Sequence, residues 1–247
     1  MIDLASTLDN MPARRGDPPW SGYEYVKGWG VMGLPFDSGH VLALRIFPEN
    51  DFAAFRSIWH RDPAGDWAIY VDGPRLDAAC PRYFGPACTA VAHARIHVEW
   101  VSSASVRVAM EEPNLDWTLT VKDSWTLRVL NATSSRLPLW TWRSSRSVKV
   151  RELVARRVLG MGSIRLSGTT PSGHHVLQMP ECMYFVDSST AFFEGRSLGY
   201  AARVSVNPQI GQILLPTRGV LATGRAAWLT LDPMEYARTR AETQAAL

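Results

Sequence analysis

Polar and apolar residues alternate along much of the chain, and this alternation predicts β-strands. The period of two is clearest in residues 91–101, whose polar positions are His93, Arg95, His97 and Glu99. It continues through 106–111, 115–122 and 125–129. One apolar face per strand is typical of antiparallel strands buried on one side. The short turns at 112–114 and 122–124 predict that these strands form an up-and-down meander.

An earlier stretch, Phe55–Gly73, is typical of a β-hairpin. Ser57–His60 forms the first predicted strand and Trp67–Val71 the second, and Pro63 and Gly65 suit the tight turn between them. Further strands are predicted at 23–31, 41–47, 137–142, 163–167, 174–186, 190–194 and 219–231. Residues 1–20 predict an irregular arm, and the three prolines of 74–89 predict a loop wrapped around one end of a barrel.

The period changes from two to that of a helix in Ser147–Gly160. Val150, Leu153 and Val158 fall near one helical face there, so an amphipathic helix is predicted within 145–162. A polar helix is predicted at 233–247. About ten strands without a linker or an internal repeat predict one all-β domain over 1–247, in which a mostly antiparallel sheet closes into a barrel and so removes its edges.

Composition and charge limit the classes of function. The chain is 46% apolar and 20% charged, which is typical of a soluble globular protein, and its net charge of +3 is too small to favour nucleic-acid binding. The N-terminus has no signal-peptide pattern and no apolar run reaches about 18–20 residues, so a cytoplasmic location is predicted. Cys80, Cys88 and Cys182 are interpreted as reduced thiols, with a Cys80–Cys88 bridge as the alternative.

Several common chemistries are disfavoured. His93 and His97 would share a helical face, but on a strand they lie about 13 Å apart, at about 3.3 Å per residue, so no metal site is predicted. His174 and His175 point to opposite faces of a strand. The sequence has no G-x-S-x-G elbow, no Walker A loop and no G-x-G-x-x-G after a strand, so no cofactor is predicted.

Ten tryptophans in a β-rich chain predict an aromatic-lined pocket for an apolar guest. The predicted pocket-wall residues are Trp59, Trp67, Trp100, Trp117, Trp125, Trp140, Trp142 and Tyr184. The predicted catalytic residues, as acids or bases in an apolar setting, are His60, Tyr70, Asp72 and Tyr83. Sequence leaves the phase of 55–61 open: His60 points inward if Ile58 does, and it lies on the surface if Trp59 points inward. Asp72 is alternatively a turn residue.

The tryptophan-rich meander and the hairpin IWHRDPAGDWAIY resemble the lipocalin-like, calycin-type barrels of the AttH and carotenoid 1,2-hydratase group, to which tocopherol cyclases are similar in build. Members of that group are usually longer, with two barrel halves, and no catalytic residue is carried over. The resemblance implies a terpenoid, polyene or polyketide substrate that is hydrated, cyclised or isomerised without a cofactor.

Three functions are therefore expected. The first is a cofactor-independent cyclase, isomerase or hydratase of natural-product biosynthesis that acts on a hydrophobic small molecule. The second is a non-catalytic carrier or sensor of a lipid-like ligand. The third is transient contact with a membrane surface through the basic helix, without a transmembrane segment. The sequence leaves the oligomeric state open.

Overall fold

The computed structural model describes residues 3–246, so Met1 and Ile2 of the predicted arm and Leu247 of the predicted C-terminal helix lie outside the described residues. The fold is mostly β, with 43% of residues in strands and 23% in helices. The strands are β1 (Arg14–Arg15), β2 (Tyr23–Pro35), β3 (Val41–Asn50), β4 (Phe55–Arg61), β5 (Trp67–Asp72), β6 (Ala90–His93), β7 (Ile96–Ser102), β8 (Ser105–Met110), β9 (Leu115–Lys122), β10 (Ser167–Thr169), β11 (His175–Phe193), β12 (Arg196–Tyr200), β13 (Gln209–Ile210), β14 (Ile213–Leu214) and β15 (Val220–Leu229). The α-helices are α1 (Leu4–Leu8), α2 (Pro81–Phe84), α3 (Trp125–Ser134), α4 (Ser145–Arg157) and α5 (Pro233–Ala245).

Ten strands form one curled half-barrel sheet in the order β6-β5-β4-β3-β2-β15-β11-β9-β8-β7. Strand β1 adds to β3, and β10 and β12 add to β11. The predicted barrel was mostly antiparallel, and most ladders are, but β5 pairs with β6 and β1 with β3 in parallel. The sheet is therefore mixed.

The two edges of the sheet meet where the chain passes from β6 to β7. The single strand predicted over 91–101 is wrong, because it breaks at Ala94 and Arg95 and its halves lie at opposite edges. The Ala94 amide donates to the Val71 carbonyl (2.9 Å), and the Ile96 amide donates to Asp72 Oδ2 (3.2 Å). The predicted polar stripe of 91–101 is exposed, as expected: His93, Arg95, His97 and Glu99.

The β4–β5 hairpin is confirmed, and its phase is now fixed. Ile58 packs in the concave interior of the sheet with side chains from β2, β3, β7, β8 and β9, so His60 shares that face. Trp59 points to the opposite, convex face, where it packs with Trp67 and Phe84. The interior is filled by large, fully buried side chains, including Trp117, Ile96 and Leu119.

The strand predicted over 125–129 is wrong, because this segment begins α3. The Ser124 hydroxyl caps the helix by accepting from the Leu127 amide (3.3 Å), and Leu127 and Asn131, four residues apart, are its buried side chains. Five alternating residues fit either period, so the N-cap decides the structure.

The strand predicted over 137–142 is also wrong, because Leu139–Arg143 forms a 3₁₀ turn after Pro138. The predicted internal helix is confirmed as α4. It ends shortly before Gly160, which has a φ of 60°. Residues 123–166 therefore form a helical insert with two α-helices, α3 and α4, where the sequence predicted one.

Other boundaries differ from the predictions. The irregular N-terminal arm contains α1, whose Leu4 and Leu8 pack into the sheet interior. The 74–89 loop contains α2 and two 3₁₀ turns, and it packs on the convex face of the hairpin. The two strands predicted over 174–194 are one 19-residue strand, β11. The C-terminal helix is confirmed as α5, and all three cysteines are free.

Candidate functional site

A cavity of about 100 Å³ lies on the convex side of the sheet. Its apolar walls come from β4, α2, β11, β14 and β15. They include Trp59, Phe84, Val176, Met179, Ile213 and Trp228. Cys80 and Gln178 add polar atoms. A mostly apolar recess with few polar groups is the usual form of a small-molecule site.

Small residues on two paired strands make room for this cavity. Gly28 of β2 lies opposite Gly224 of β15, and Gly30 lies opposite Ala222. A Cβ at Gly30 would collide with the Leu44 carbonyl, and one at Gly224 would collide with the Met179 carbonyl. These glycines therefore let neighbouring strands approach closely, and they leave space beside the large aromatic walls.

The side chain of Arg45 lines the cavity and is held by backbone carbonyls. It lies on the same face as Gly30, its partner in the β2–β3 ladder. Its Nη1 donates to the carbonyls of Val31 and Leu44, and its Nη2 donates to that of Met32 (3.0 Å). Val31 and Met32 lie at an irregularity in the β2–β3 register, which frees their carbonyls. A guanidinium has five N–H groups, so two have no acceptor among the residues that the structure describes.

Within residues 3–246, no carboxylate oxygen lies within 4.0 Å of the Arg45 guanidinium. Its carbon lies 5.0 Å from the centre of the Trp59 ring, a cation–π distance. Burial lowers its pKa to about 10, so the group stays charged at neutral pH. The cavity therefore presents a positive charge that the described protein does not neutralise.

The neighbouring charged and nucleophilic groups do not supply the missing anion. Burial raises the pKa of the Cys80 thiol, so this side chain is neutral at pH 7. Its sulfur accepts from the Ser57 hydroxyl (3.4 Å). Arg225 also lines the cavity, but its Nε lies 2.8 Å from Glu181 Oε1 and is neutralised there.

Two of the four predicted catalytic residues lie near each other on the concave face. The rings of His60 and Tyr70 lie 4.1 and 6.5 Å from that of Phe193. His60 Nε2 is 2.9 Å from His40 Nδ1, and burial lowers the pKa of His60 to about 4, so it is neutral at pH 7. Burial raises the pKa of Tyr70. This pair could exchange a proton with a substrate only from the inner side of the sheet.

Asp72 and Tyr83 lie elsewhere. Asp72 ends β5, where it accepts from the Ile96 amide and lies 3.9 Å from Arg56, so it stabilises the junction between the two sheet edges. Tyr83 is buried on the convex side and stacks on Trp228, with ring centres 4.0 Å apart.

Tyr83 belongs to a buried network centred on Glu24, which is fully buried. The Tyr83 hydroxyl donates to Glu24 Oε2 (2.6 Å), and Arg82 donates to both carboxylate oxygens (2.7 and 2.9 Å). His174 Nε2 lies 3.8 Å from Glu24 Oε1. Every charge here meets an opposite one, which is typical of a structural ion pair that ties α2 to β2.

The predicted pocket-wall aromatics do not gather in one place. Trp59 lines the Arg45 cavity, and Trp67 packs beside it. Trp100, Trp117 and Tyr184 belong to the concave interior. Trp142 packs under the helical insert, and Trp125 and Trp140 are exposed.

Sequence reasoning missed Arg45 and Glu24. Both are lone charged residues in strands whose two phases are otherwise apolar, VLALRIF and YEYVKGWGV. That context was the available signal, because a charge in a strand buried on both faces requires a partner or a ligand.

Comparison with known proteins gives no relative: no family model, curated protein or solved structure matches the chain. In the part of the chain that the structure describes, no helix combines the length and apolar character required to cross a bilayer.

Proposed function

We propose that the protein binds a small apolar molecule bearing one anionic group, such as a carboxylate, in the Arg45 cavity, and that it acts as a carrier or sensor of that molecule. The observation that carries this proposal is the Arg45 charge, which faces an apolar cavity and has no carboxylate of residues 3–246 within 4.0 Å. Arg45 is partly buried, and holding a cation unpaired in such a setting costs on the order of a few kcal/mol unless an anion compensates it. A bound carboxylate would accept the two N–H groups that remain free.

The free backbone carbonyls at the β2–β3 irregularity need hydrogen-bond donors, but this need explains only part of why an arginine stands at position 45. The carbonyls of Val31 and Met32 require hydrogen-bond donors, but a neutral amide side chain could supply them. A full charge between Trp59 and an apolar wall is better explained by an anionic ligand. The cavity volume, about 100 Å³, suits a group of the size of a single ring or a short branched chain.

Matched probes test the proposal by calorimetry. Phenylacetate and 2-phenylethanol have similar size, but only the first carries a charge. We expect phenylacetate to bind more tightly to the wild type, and Arg45→Gln to weaken its binding at least about tenfold, or about 1.4 kcal/mol. Arg218→Gln is the control, because Arg218 also stacks on an aromatic ring, that of Phe185 (3.6 Å), and does not line the cavity. Equal binding of the two probes would reject the proposal.

A second candidate is the cofactor-independent cyclase, isomerase or hydratase implied by the resemblance. Its support is the neutral His60 beside His40 and near Tyr70, a set of proton donors and acceptors in an apolar setting. Native mass spectrometry of the purified protein, with an organic extract analysed alongside, separates the two functions. A co-purified acid that Arg45→Gln loses and His60→Gln retains supports a carrier. If a compound co-purifies with His60→Gln but not with the wild type, which would convert and release it, the result supports an enzyme.

A further inference from the structure

The helical insert, residues 123–166, differs sharply in charge from the rest of the chain. It contains nine arginines and lysines but only Asp123 and Glu152 as acids, for a net charge of +7. Since the whole chain carries +3, the remaining residues together carry −4. Such concentration of charge in under a fifth of the sequence indicates an anionic partner for this surface.

The same insert exposes large apolar side chains. Trp125 is 76% exposed and Trp140 is 69% exposed, and Val129, Val150, Leu153 and Val158 are each more than half exposed. On α3, Trp125 and Val129 lie four residues apart, on the side opposite buried Leu127 and Asn131. On α4, Val150 and Leu153 lie on the side opposite buried Val148 and Ala155. Both helices therefore present an outward apolar stripe in addition to the stripe that packs on the fold.

Basic residues border these stripes. Arg146 and Arg157 fall at helical spacing beside Val150 on the outward side of α4, and Arg128 lies next to Val129 on α3. Exposed tryptophan and aliphatic side chains interleaved with arginine are typical of helices that lie in a membrane interface. A polyanion such as a nucleic acid would use the charges but not the exposed aliphatic side chains.

An apolar groove separates the two helices. It has a volume of about 250 Å³ and is lined by Leu130 and Leu137 on one side and by Val150 and Val154 on the other. Leu137 and Val150 are also exposed, so the groove is continuous with the outward apolar surface.

We infer that the helical insert docks on an anionic lipid bilayer, with its arginines at the headgroups, Trp125 and Trp140 in the interface, and the groove between α3 and α4 open to an acyl chain. This inference rests on surface charge and exposure, and it does not depend on the Arg45 cavity.

Co-sedimentation with lipid vesicles tests this inference. We expect the wild type to bind vesicles of phosphatidylcholine with 40% phosphatidylglycerol at 100 mM salt, and to bind pure phosphatidylcholine at least tenfold more weakly. Arg156→Glu with Arg157→Glu should weaken binding to the anionic vesicles at least tenfold. The control pair Arg15→Glu with Arg238→Glu changes the net charge equally at exposed sites outside the insert, and it should change binding less than threefold.

A second variant tests the contribution of the exposed tryptophan side chains to membrane binding. Trp125→Ala with Trp140→Ala should weaken binding at least fivefold and reduce the quenching of tryptophan fluorescence by brominated acyl chains. Tyr200→Ala, at a 79% exposed site outside the insert, is the control. Circular dichroism and thermal unfolding check that each variant is folded. No binding to anionic vesicles would overturn the inference. So would equal losses in the control pair, or tighter binding to heparin that the tryptophan variant leaves unchanged.

Discussion

Two arginines on the convex side of the sheet meet opposite electrostatic surroundings in this fold. The side chain of Arg82 is 5% exposed and forms a bidentate ion pair with fully buried Glu24. Glu24 also accepts a hydrogen bond from the Tyr83 hydroxyl. Arg45 is surrounded by backbone carbonyls and an aromatic ring, and no carboxylate of the described residues lies within 4.0 Å. The charge of Arg82 is neutralised by a carboxylate of the fold, whereas the charge of Arg45 has no such partner among the described residues. The comparison therefore separates a charge that the fold pairs from a charge that the described residues leave unpaired.

The largest expected effect is on the completed pair. Glu24→Gln should lower the free energy of unfolding by about 3–5 kcal/mol, because it leaves the Arg82 charge buried without its main partner. Urea denaturation followed by fluorescence measures this change. The double variant Glu24→Leu with Arg82→Met removes both charges and should be less destabilised than the single variant. If the single variant is as stable as the wild type, the network is not structural.

The pH dependence of stability sharpens the comparison at a second buried carboxyl, Asp51. It accepts from the Tyr25 amide and the Tyr236 hydroxyl (2.9 Å each), and burial raises its pKa to about 7. The folded state therefore holds a proton that the unfolded state loses near pH 4. Stability from this group is present below about pH 4 and is lost as the pH rises to about 7, by about 2–4 kcal/mol.

Asp51→Asn isolates this effect, because His60 acts in the opposite direction. Burial lowers the pKa of His60 to about 4, so the unfolded chain takes up a proton first and stability falls as the pH drops below about 6.5. We expect the free energy of unfolding of the wild type, minus that of Asp51→Asn, to decline between pH 4.5 and 7.5. We expect the variant alone to gain stability over the lower part of that range. Parallel curves for the two proteins would contradict the raised pKa.

Arg45 should respond in binding more than in folding. Arg45→Gln removes the cost of the unpaired charge but also loses hydrogen bonds to the Val31 and Leu44 carbonyls, and since these effects oppose each other the free energy of unfolding should change by less than about 1 kcal/mol. Phenylacetate binding should fall at least about tenfold in the same variant. Urea denaturation and calorimetry on one preparation measure both quantities. A loss of stability as large as that of Glu24→Gln would show that the charge itself supports the fold.

The strand content of this fold was accessible from sequence, but the order of the strands and the position of the sheet edges were not. Alternation in β2–β5, β8, β9 and β15 requires only local burial, and these strands are where the pattern predicts them. The polar and apolar phases continue unbroken through Ala94 and Arg95, although the chain there leaves one sheet edge for the other. Whether a strand lies at the edge of a sheet depends on which strands pair with it. The alternation of polar and apolar residues within one strand does not carry that information.

The candidate site was less accessible for two physical reasons. The hairpin is apolar on both faces because α2 and its neighbouring turns cover the convex side, so the pattern did not show which way Trp59 points. The chemistry of Arg45 depends on which groups are absent from its surroundings, and only the folded structure reveals that. Trp125 and Trp140 illustrate the same limit, because a count of tryptophans does not separate core rings from surface rings.

The smallest expected effect comes from a pair with the geometry of Arg82 and Glu24 but without their burial. Arg107 donates to both oxygens of Asp116 across β8 and β9 (3.0 and 2.8 Å), and the two side chains are 49% and 47% exposed. Water solvates each charge when the other is removed, so Arg107→Ala should hardly change the free energy of unfolding measured by urea denaturation. Adding 0.5 M salt should reduce even this difference, since exposed charges are screened. Equal costs for Arg107→Ala and Glu24→Gln would mean that pairing geometry, and not burial, sets the energy of these contacts, and the contrast between Arg82 and Arg45 would then lose its basis.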